Sequence, residues 1–431
     1  MSAISGVSAV SRKPAGARTY ANMVLFLVPF FRPSIINDWA AAEPIKQLFS
    51  LWLAAACIYA IVRFVSRNGR IGLFLAGLMG FLALAAISTL INSGSQYLML
   101  VNTLILISPC LFIPSLRKDE VLAFVRSAAL IIGFIVLCNQ LLTILLPDGI
   151  YYYNGRSRWL LENGSLQSRW CFLLLFFAAF WDILAKRRLS ILTLFAAILS
   201  FWTVWMLGSA TSMVALILDV AILALGGKRI IGKMLNCRAI NVITVFLFVG
   251  IVLLRVADYL PYNDIAVFLG KDLTYHSGST FTGRTYIWDA VIASIRESPL
   301  IGYGWQEYVA MGIAHFYGQQ DFNSAHNLLL QIVFVGGFVG FALFLMAYLQ
   351  SSKFVDALRS KSLRCLFVSA FAAFLLTSLF EQVLTSAFLI LLSMAVSPVL
   401  RELDLEISTI EQDGTVGENP ASSSMDARHL V

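Results

Sequence analysis

Long apolar blocks alternate with short polar intervals along this chain. A typical block runs from Gly72 to Ile91 without a charged residue. About 20 helical residues at about 1.5 Å each cross a hydrocarbon core of about 30 Å. The blocks are continuous, whereas barrel strands would be shorter and alternate apolar with polar. The pattern therefore predicts transmembrane helices. Hydropathy places about twelve of them, at approximately 21–37, 47–65, 71–92, 98–116, 121–147, 170–185, 189–207, 210–226, 239–257, 328–350, 365–380 and 383–400. Arg32 and Pro33 interrupt the first.

Two polar intervals are longer than a turn. One runs from Asp148 to Trp170 and the other from Asp258 to about Asn327. The predicted organisation is a leader over 1–20, nine spans over 21–257 with a loop near 148–169, a large loop over 258–327, three spans over 328–400 and a tail over 401–431. The leader has no apolar stretch ending in a small-residue cleavage site, so no cleaved signal is expected. The tail is polar and contains Gly, Ser and Pro, and is expected to be disordered.

Composition strengthens this picture. The chain is 59% hydrophobic and only 13% charged, with a mean hydropathy of +0.81. Soluble domains carry about twice that share of charge. The fold class expected is an all-α polytopic membrane protein with one large outer loop carrying short amphipathic helices.

The net charge of +7 does not point to nucleic acid. Most basic residues fall in short clusters between apolar blocks. With the N-terminus inside, the inner loops hold Arg63, Arg67 and Arg70; Arg117 and Lys118; Lys186, Arg187 and Arg188; Lys228, Arg229, Lys233 and Arg238; and Lys353, Arg359, Lys361 and Arg364. This is the positive-inside pattern, and it puts both termini in the cytoplasm. The two long polar intervals then lie outside. They hold Arg156, Arg158, Arg169 and Arg284, which orientation does not require. An anionic ligand would explain them, and so would snorkelling to lipid phosphates.

The large loop contains Ser-Thr-Phe-Thr-Gly-Arg-Thr-Tyr-Ile-Trp from Ser279 and Ser-Pro-Leu-Ile-Gly-Tyr-Gly from Ser298. Between them Ile287, Trp288, Val291, Ile292 and Ile295 share one face of a helix predicted over Thr285–Glu297. Thr285 is its expected cap, and Pro299 with Gly302 and Gly304 its stop. Such a helix is expected in the membrane interface, with Trp288 at headgroup depth. Arg284 stands at its start, where free amides favour anions and a guanidinium suits phosphate oxygens. An ion pair with Asp289 is the competing reading. His326 and Asn327 stand at the outer edge of the next apolar block. An ionisable residue there is a candidate base, and an imidazole bonded to a backbone carbonyl is the alternative. Trp288 and Tyr303 can stack on sugar rings or belong to an interfacial aromatic belt. Glu381, in a short outer turn, can pair with an outer Arg or act as another base. The six Cys show no CxxC spacing, and the four His no metal-ligand spacing. No metal and no cofactor is expected.

The ordered set Thr-Gly-Arg-Thr, Ile-Trp, Pro-Leu-Ile-Gly-Tyr-Gly and then His-Asn before a Gly-rich helix resembles the signature of the O-antigen ligase/polymerase (Wzy/WaaL) superfamily, and within it the ExoQ-like exopolysaccharide polymerases. The resemblance covers Gly270 to Gly340. It implies a GT-C-like, metal-independent inverting glycosyltransferase of the bacterial inner membrane, acting on the periplasmic side. It implies an undecaprenyl-diphosphate-linked oligosaccharide as donor, another as acceptor, a surrounding lipid bilayer and a chain-length regulator as partner. Arg284 matches the family Arg on the donor diphosphate, and His326 the His that assists the acceptor hydroxyl. The family often has a second basic residue in a middle outer turn. Here that turn, Leu207 to Leu216, has none. Arg169 is the expected substitute, ahead of Arg156 and Arg158. Asn327, Trp288 and Tyr303 complete the expected substrate contacts. Two other readings remain: ligation of the glycan to a lipid A core, and a lipid-oligosaccharide flippase.

Overall fold

The computed structural model describes residues 16–153, 156–161, 167–186, 189–226, 236–256, 284–311 and 321–416. Most of the expected leader, His276, Gly283, His315, His429 and the end of the tail lie outside the described residues. The chain forms an all-α bundle. Its helices are α1 (Ala17–Leu27), α2 (Ile35–Asp38), α3 (Glu43–Ser66), α4 (Leu73–Ile91), α5 (Gln96–Phe112), α6 (Lys118–Leu145), α7 (Ser168–Lys186), α8 (Ile191–Leu207), α9 (Ala210–Leu225), α10 (Cys237–Phe248), α11 (Arg284–Glu297), α12 (Leu328–Asp356), α13 (Lys361–Ser378), α14 (Ser386–Val396) and α15 (Pro398–Val416). Among the described residues, seven helices are long and apolar enough to cross a membrane, and α14 with α15, bent by 61°, makes an eighth candidate. Four shorter apolar stretches, Ala17–Phe31, Ile191–Met206, Ala210–Leu225 and Cys237–Leu253, coincide with expected spans. A total of twelve requires each of these to cross as well.

Helix starts follow local chemistry. Ser95, Ser190, Ser209, Asn236, Asn327 and Ser360 accept the first free N–H groups of α5, α8, α9, α10, α12 and α13. Unmet donors there would be costly in an apolar medium. The centre is built from α7, α13 and α14, where Phe172, Phe176, Phe367, Phe374 and Phe388 meet ring to ring. At the periphery Leu51, Ile58 and Val62 of α3 and Ile191 and Phe195 of α8 are exposed. Apolar faces of this kind suit lipid rather than water.

One irregularity shapes the site. Gly337 interrupts α12 with φ 61° and ψ −169°. The broken helical bonds are made instead by the segment after α11. Tyr303 and Gly304 donate to the Phe334 and Val335 carbonyls at 2.8 and 2.9 Å, while Phe338 and Val339 donate to Pro299 and Leu300 at 2.8 and 3.2 Å. The Pro-Leu-Ile-Gly-Tyr-Gly turn thus docks into the break. Gly304 has φ +75°, and a Cβ there would lie 2.2 Å from the Thr89 amide nitrogen. A Cβ on Gly337 would lie 2.2 Å from the Leu300 carbonyl. Ser88 Oγ donates to Gly302 O at 2.7 Å, and Ser95 N to Trp305 O at 2.9 Å, tying the turn to the end of α4 and the start of α5.

Three expectations need correction. The tail is helical through Val416, not disordered from 401. Leu400, Leu403 and Ile407 are buried, and Asp404 and Glu411 accept backbone N–H bonds from Arg359, Ser360, Lys361 and Ser362 at the start of α13. An acidic amphipathic segment that caps a neighbour gains structure its composition alone does not announce. Next, α11 turns its apolar face into the protein, with Trp288 only 1% exposed. Periodicity identifies an apolar face but not whether lipid or protein covers it. Thr285 lies inside α11 rather than capping it, because the helix begins at Arg284. The loop after α6 also forms a small hairpin of β1 (Tyr151–Tyr153) and β2 (Arg156–Arg158).

Candidate functional site

The starts of α3, α5, α7 and α14 line one cleft, with the segment before α12 beside them. Three ionisable side chains meet beside it. Arg284, the first residue of α11, donates through Nη2 to Glu381 Oε1 at 2.5 Å. His326, just before α12, places Nδ1 3.1 Å from Glu381 Oε2. The Glu381 side chain is 6% exposed, against 20% for Arg284 and 29% for His326. Burial raises the Glu381 carboxyl, but the Arg284 charge and the bond with His326 outweigh it and hold it at about 2. The carboxylate is therefore charged at neutral pH.

Local structure holds the two loops in register. Asn327 caps α12 by accepting from Leu330 N at 3.0 Å, and its amide donates to Leu379 O at 3.0 Å. Ala325 N donates to Gln331 Oε1 at 2.9 Å. His326, pinned between them, has φ +46°. A side-chain-bearing residue in this left-handed region costs about 1 kcal/mol or more, and such strain concentrates at functional sites. Phe322 sets its ring edge-on to the imidazole, with centroids 6.5 Å apart.

The cleft beside this cluster has a volume of about 490 Å³. Asn323 and Gln382, close in sequence to His326 and Glu381, line it, although the three clustered residues themselves do not. Arg32, Lys46 and Arg169 bring three cations to its wall, with Asn37, Tyr97, Asn102 and Trp170 beside them. Lys46 also contacts Glu43 at 3.2 Å. Such a wall suits an anion bearing polar groups.

The structure thus brings Arg284 and His326 together and puts Arg169 on the adjoining cleft. It separates the other expected contacts. Arg158 lies in β2 and is not on the cleft wall; Arg156 shares that strand. Asn327 is fully buried and committed to its cap and its tie to Leu379. Trp288 belongs to the core. Tyr303 stacks on Phe334 and donates to Glu297 Oε2 at 2.9 Å, at the far end of α11, about 20 Å along the helix from Arg284. The competing partner of Arg284 is also resolved, since Asp289 pairs with Arg255. Glu381 takes the first of its two expected readings, a pair with an Arg, while Arg32 and Lys46 were not singled out in sequence as wall residues. The signal available for Arg32 was a charge interrupting an apolar block. Among the described residues no group of three or more His, Cys, Asp or Glu is placed to hold a metal ion.

An all-α bundle with lipid-suited flanks and a charged cluster on its loops defines a multi-pass membrane protein with a polar site at one end. Residues 170–345 match the family described as O-antigen ligase. The chain is also 35% identical over 85 residues to the exopolysaccharide production protein ExoQ of Rhizobium meliloti (strain 1021), a match covering 18% of each chain. Over these stretches the chain is similar to the O-antigen ligase family and to ExoQ, and both matches support a likeness to the O-antigen ligase/polymerase superfamily.

Proposed function

We propose that this protein is a polysaccharide polymerase of the bacterial inner membrane. It moves a growing glycan from undecaprenyl diphosphate onto the next lipid-linked repeat at the periplasmic face, with both termini in the cytoplasm and the bundle crossing twelve times. The observation that carries this reading is the Arg284–Glu381–His326 cluster beside a cation-lined cleft. The diphosphate is a good leaving group once its developing charge is met, and Arg284 meets it. An acceptor hydroxyl attacks the anomeric carbon as the bond to the diphosphate oxygen breaks. The electron pair leaves on the diphosphate, and the hydroxyl proton passes to His326. Attack opposite the leaving group inverts the anomeric centre, and no metal is needed in this scheme. Arg169, with Arg32 and Lys46, offers the second basic contact that the Leu207–Leu216 turn lacks. A chain-length regulator is the protein partner implied.

The family description favours a second reading, transfer of the finished chain to a lipid A core. The test is replacement of Arg284 and of His326 by Ala in producing cells. Both variants should insert and accumulate normally yet form no polymer. Normal polymer from both would remove the catalytic assignment.

A further inference from the structure

We propose that Glu381 is a positioning residue for this transfer: one carboxylate oxygen holds Arg284 and the other fixes His326 with its proton on Nδ1, so that Nε2 is left to accept the proton of the attacking hydroxyl. The proposal rests on the transfer reading above and adds a role that neither the family match nor the ExoQ match assigns.

Geometry carries it. An ionised carboxylate only accepts hydrogen bonds, so the ring nitrogen facing Glu381 Oε2 must be the donor. In the neutral ring the other nitrogen then bears the free electron pair. Oε1 is occupied by Arg284 at 2.5 Å, so each oxygen serves a different partner. The alternative role for Glu381, as the base itself, fits poorly. A carboxylate held at about 2 by a half-buried neighbouring cation is a weak proton acceptor. The backbone shows that the arrangement is enforced. Glu381 N donates to Thr377 O at 3.0 Å, continuing the end of α13, and the Asn327 amide ties Leu379 to the residue after His326. The left-handed backbone of His326 is maintained by these flanking bonds. When Nε2 takes the proton, the resulting imidazolium faces a carboxylate that is already charged. Proton uptake therefore needs no rearrangement of the site.

The test combines nitrogen-15 histidine NMR of the full chain in lipid bilayers with glycan-transfer rates in the same preparations. The chain has four His, so His326→Ala assigns the His326 signal by its disappearance. The wild-type ring should show the proton on Nδ1. Glu381→Ala should move it toward Nε2 and lower the transfer rate by about 100-fold or more. Glu381→Asp, which keeps a carboxylate, should retain the Nδ1 form and stay within about 10-fold of wild type. If Glu381→Ala does not accumulate, Glu381→Gln gives the same comparison, because its amide keeps one acceptor oxygen for Arg284 and puts an NH2 donor, which cannot accept from Nδ1–H, where the second oxygen stood. A wild-type ring protonated on Nε2 would overturn the role, as would an unchanged tautomer in Glu381→Ala or a rate within about twofold of wild type. An Nδ1-protonated ring in a wild-type protein that transfers no glycan would remove the transfer reading and this role with it, while showing that the geometry was not at fault.

Discussion

At the residue scale, Arg284 and His326 were legible because each sits in a local pattern, a helix start and the edge of an apolar block. Their connection was not. Glu381 lies 55 positions beyond His326 and 97 beyond Arg284, and only packing of two loops brings it between them. No local periodicity reports such a meeting. Arg284→Lys should lower activity by about 10-fold or more with normal protein abundance, because a single ammonium cannot hold a carboxylate and a phosphate in the same fork geometry. Polymer yield against immunoblot signal checks this. The charge on Glu381 also sets a pH signature. Its carboxyl lies at about 2 when folded, below the usual value of about 4.3. A depressed acid stabilises the fold above its unfolded value and loses that contribution as pH falls toward its folded one. The melting-temperature difference between wild type and Glu381→Gln should be constant from about pH 8 to about pH 5 and shrink below about pH 4.

At the element scale, most helices were legible from their apolar blocks, since blocks and helices share a length dictated by the bilayer. The break in α12 was not legible as a break. The Gly-Gly pair and the Pro-Leu-Ile-Gly-Tyr-Gly turn were both visible, but their mutual docking is a tertiary event. Gly304→Ala and Gly337→Ala should each destabilise by well over about 1 kcal/mol, because each adds a Cβ against backbone at a positive φ. Gly250→Ala, where a Cβ meets nothing within 4 Å, should leave the melting temperature nearly unchanged. Melting in detergent distinguishes the two classes. The helical tail supplies a further test. Asp404→Ala and Glu411→Ala each remove N–H acceptors at the start of α13 and should each cost about 1 kcal/mol, read the same way.

At the scale of the whole molecule, the charge bias between loops predicts that the site and the loop holding Arg67 and Arg70 face opposite sides of the membrane. Arg63, Arg67 and Arg70 collect at one end of the bundle, and the Arg284–Glu381–His326 cluster with the cation-lined cleft at the other. Single cysteines at Asn68 and Gln382 in a cysteine-free background should therefore be labelled by impermeant reagent from opposite faces of the membrane. The site itself was half legible. Arg169 and Arg284 were visible in sequence as charges against the orientation rule, whereas Arg32 and Lys46 were not, and the wall joining the segment after α1 to α3, α5 and α7 exists only in the folded bundle. The transfer account is tested most directly by the lipid-linked glycans of cells lacking this protein. Single repeats on the lipid carrier should accumulate, wild type should restore long chains, and His326→Ala should not. Long chains accumulating on the carrier in the deletion strain would contradict polymerisation and assign the protein to ligation instead.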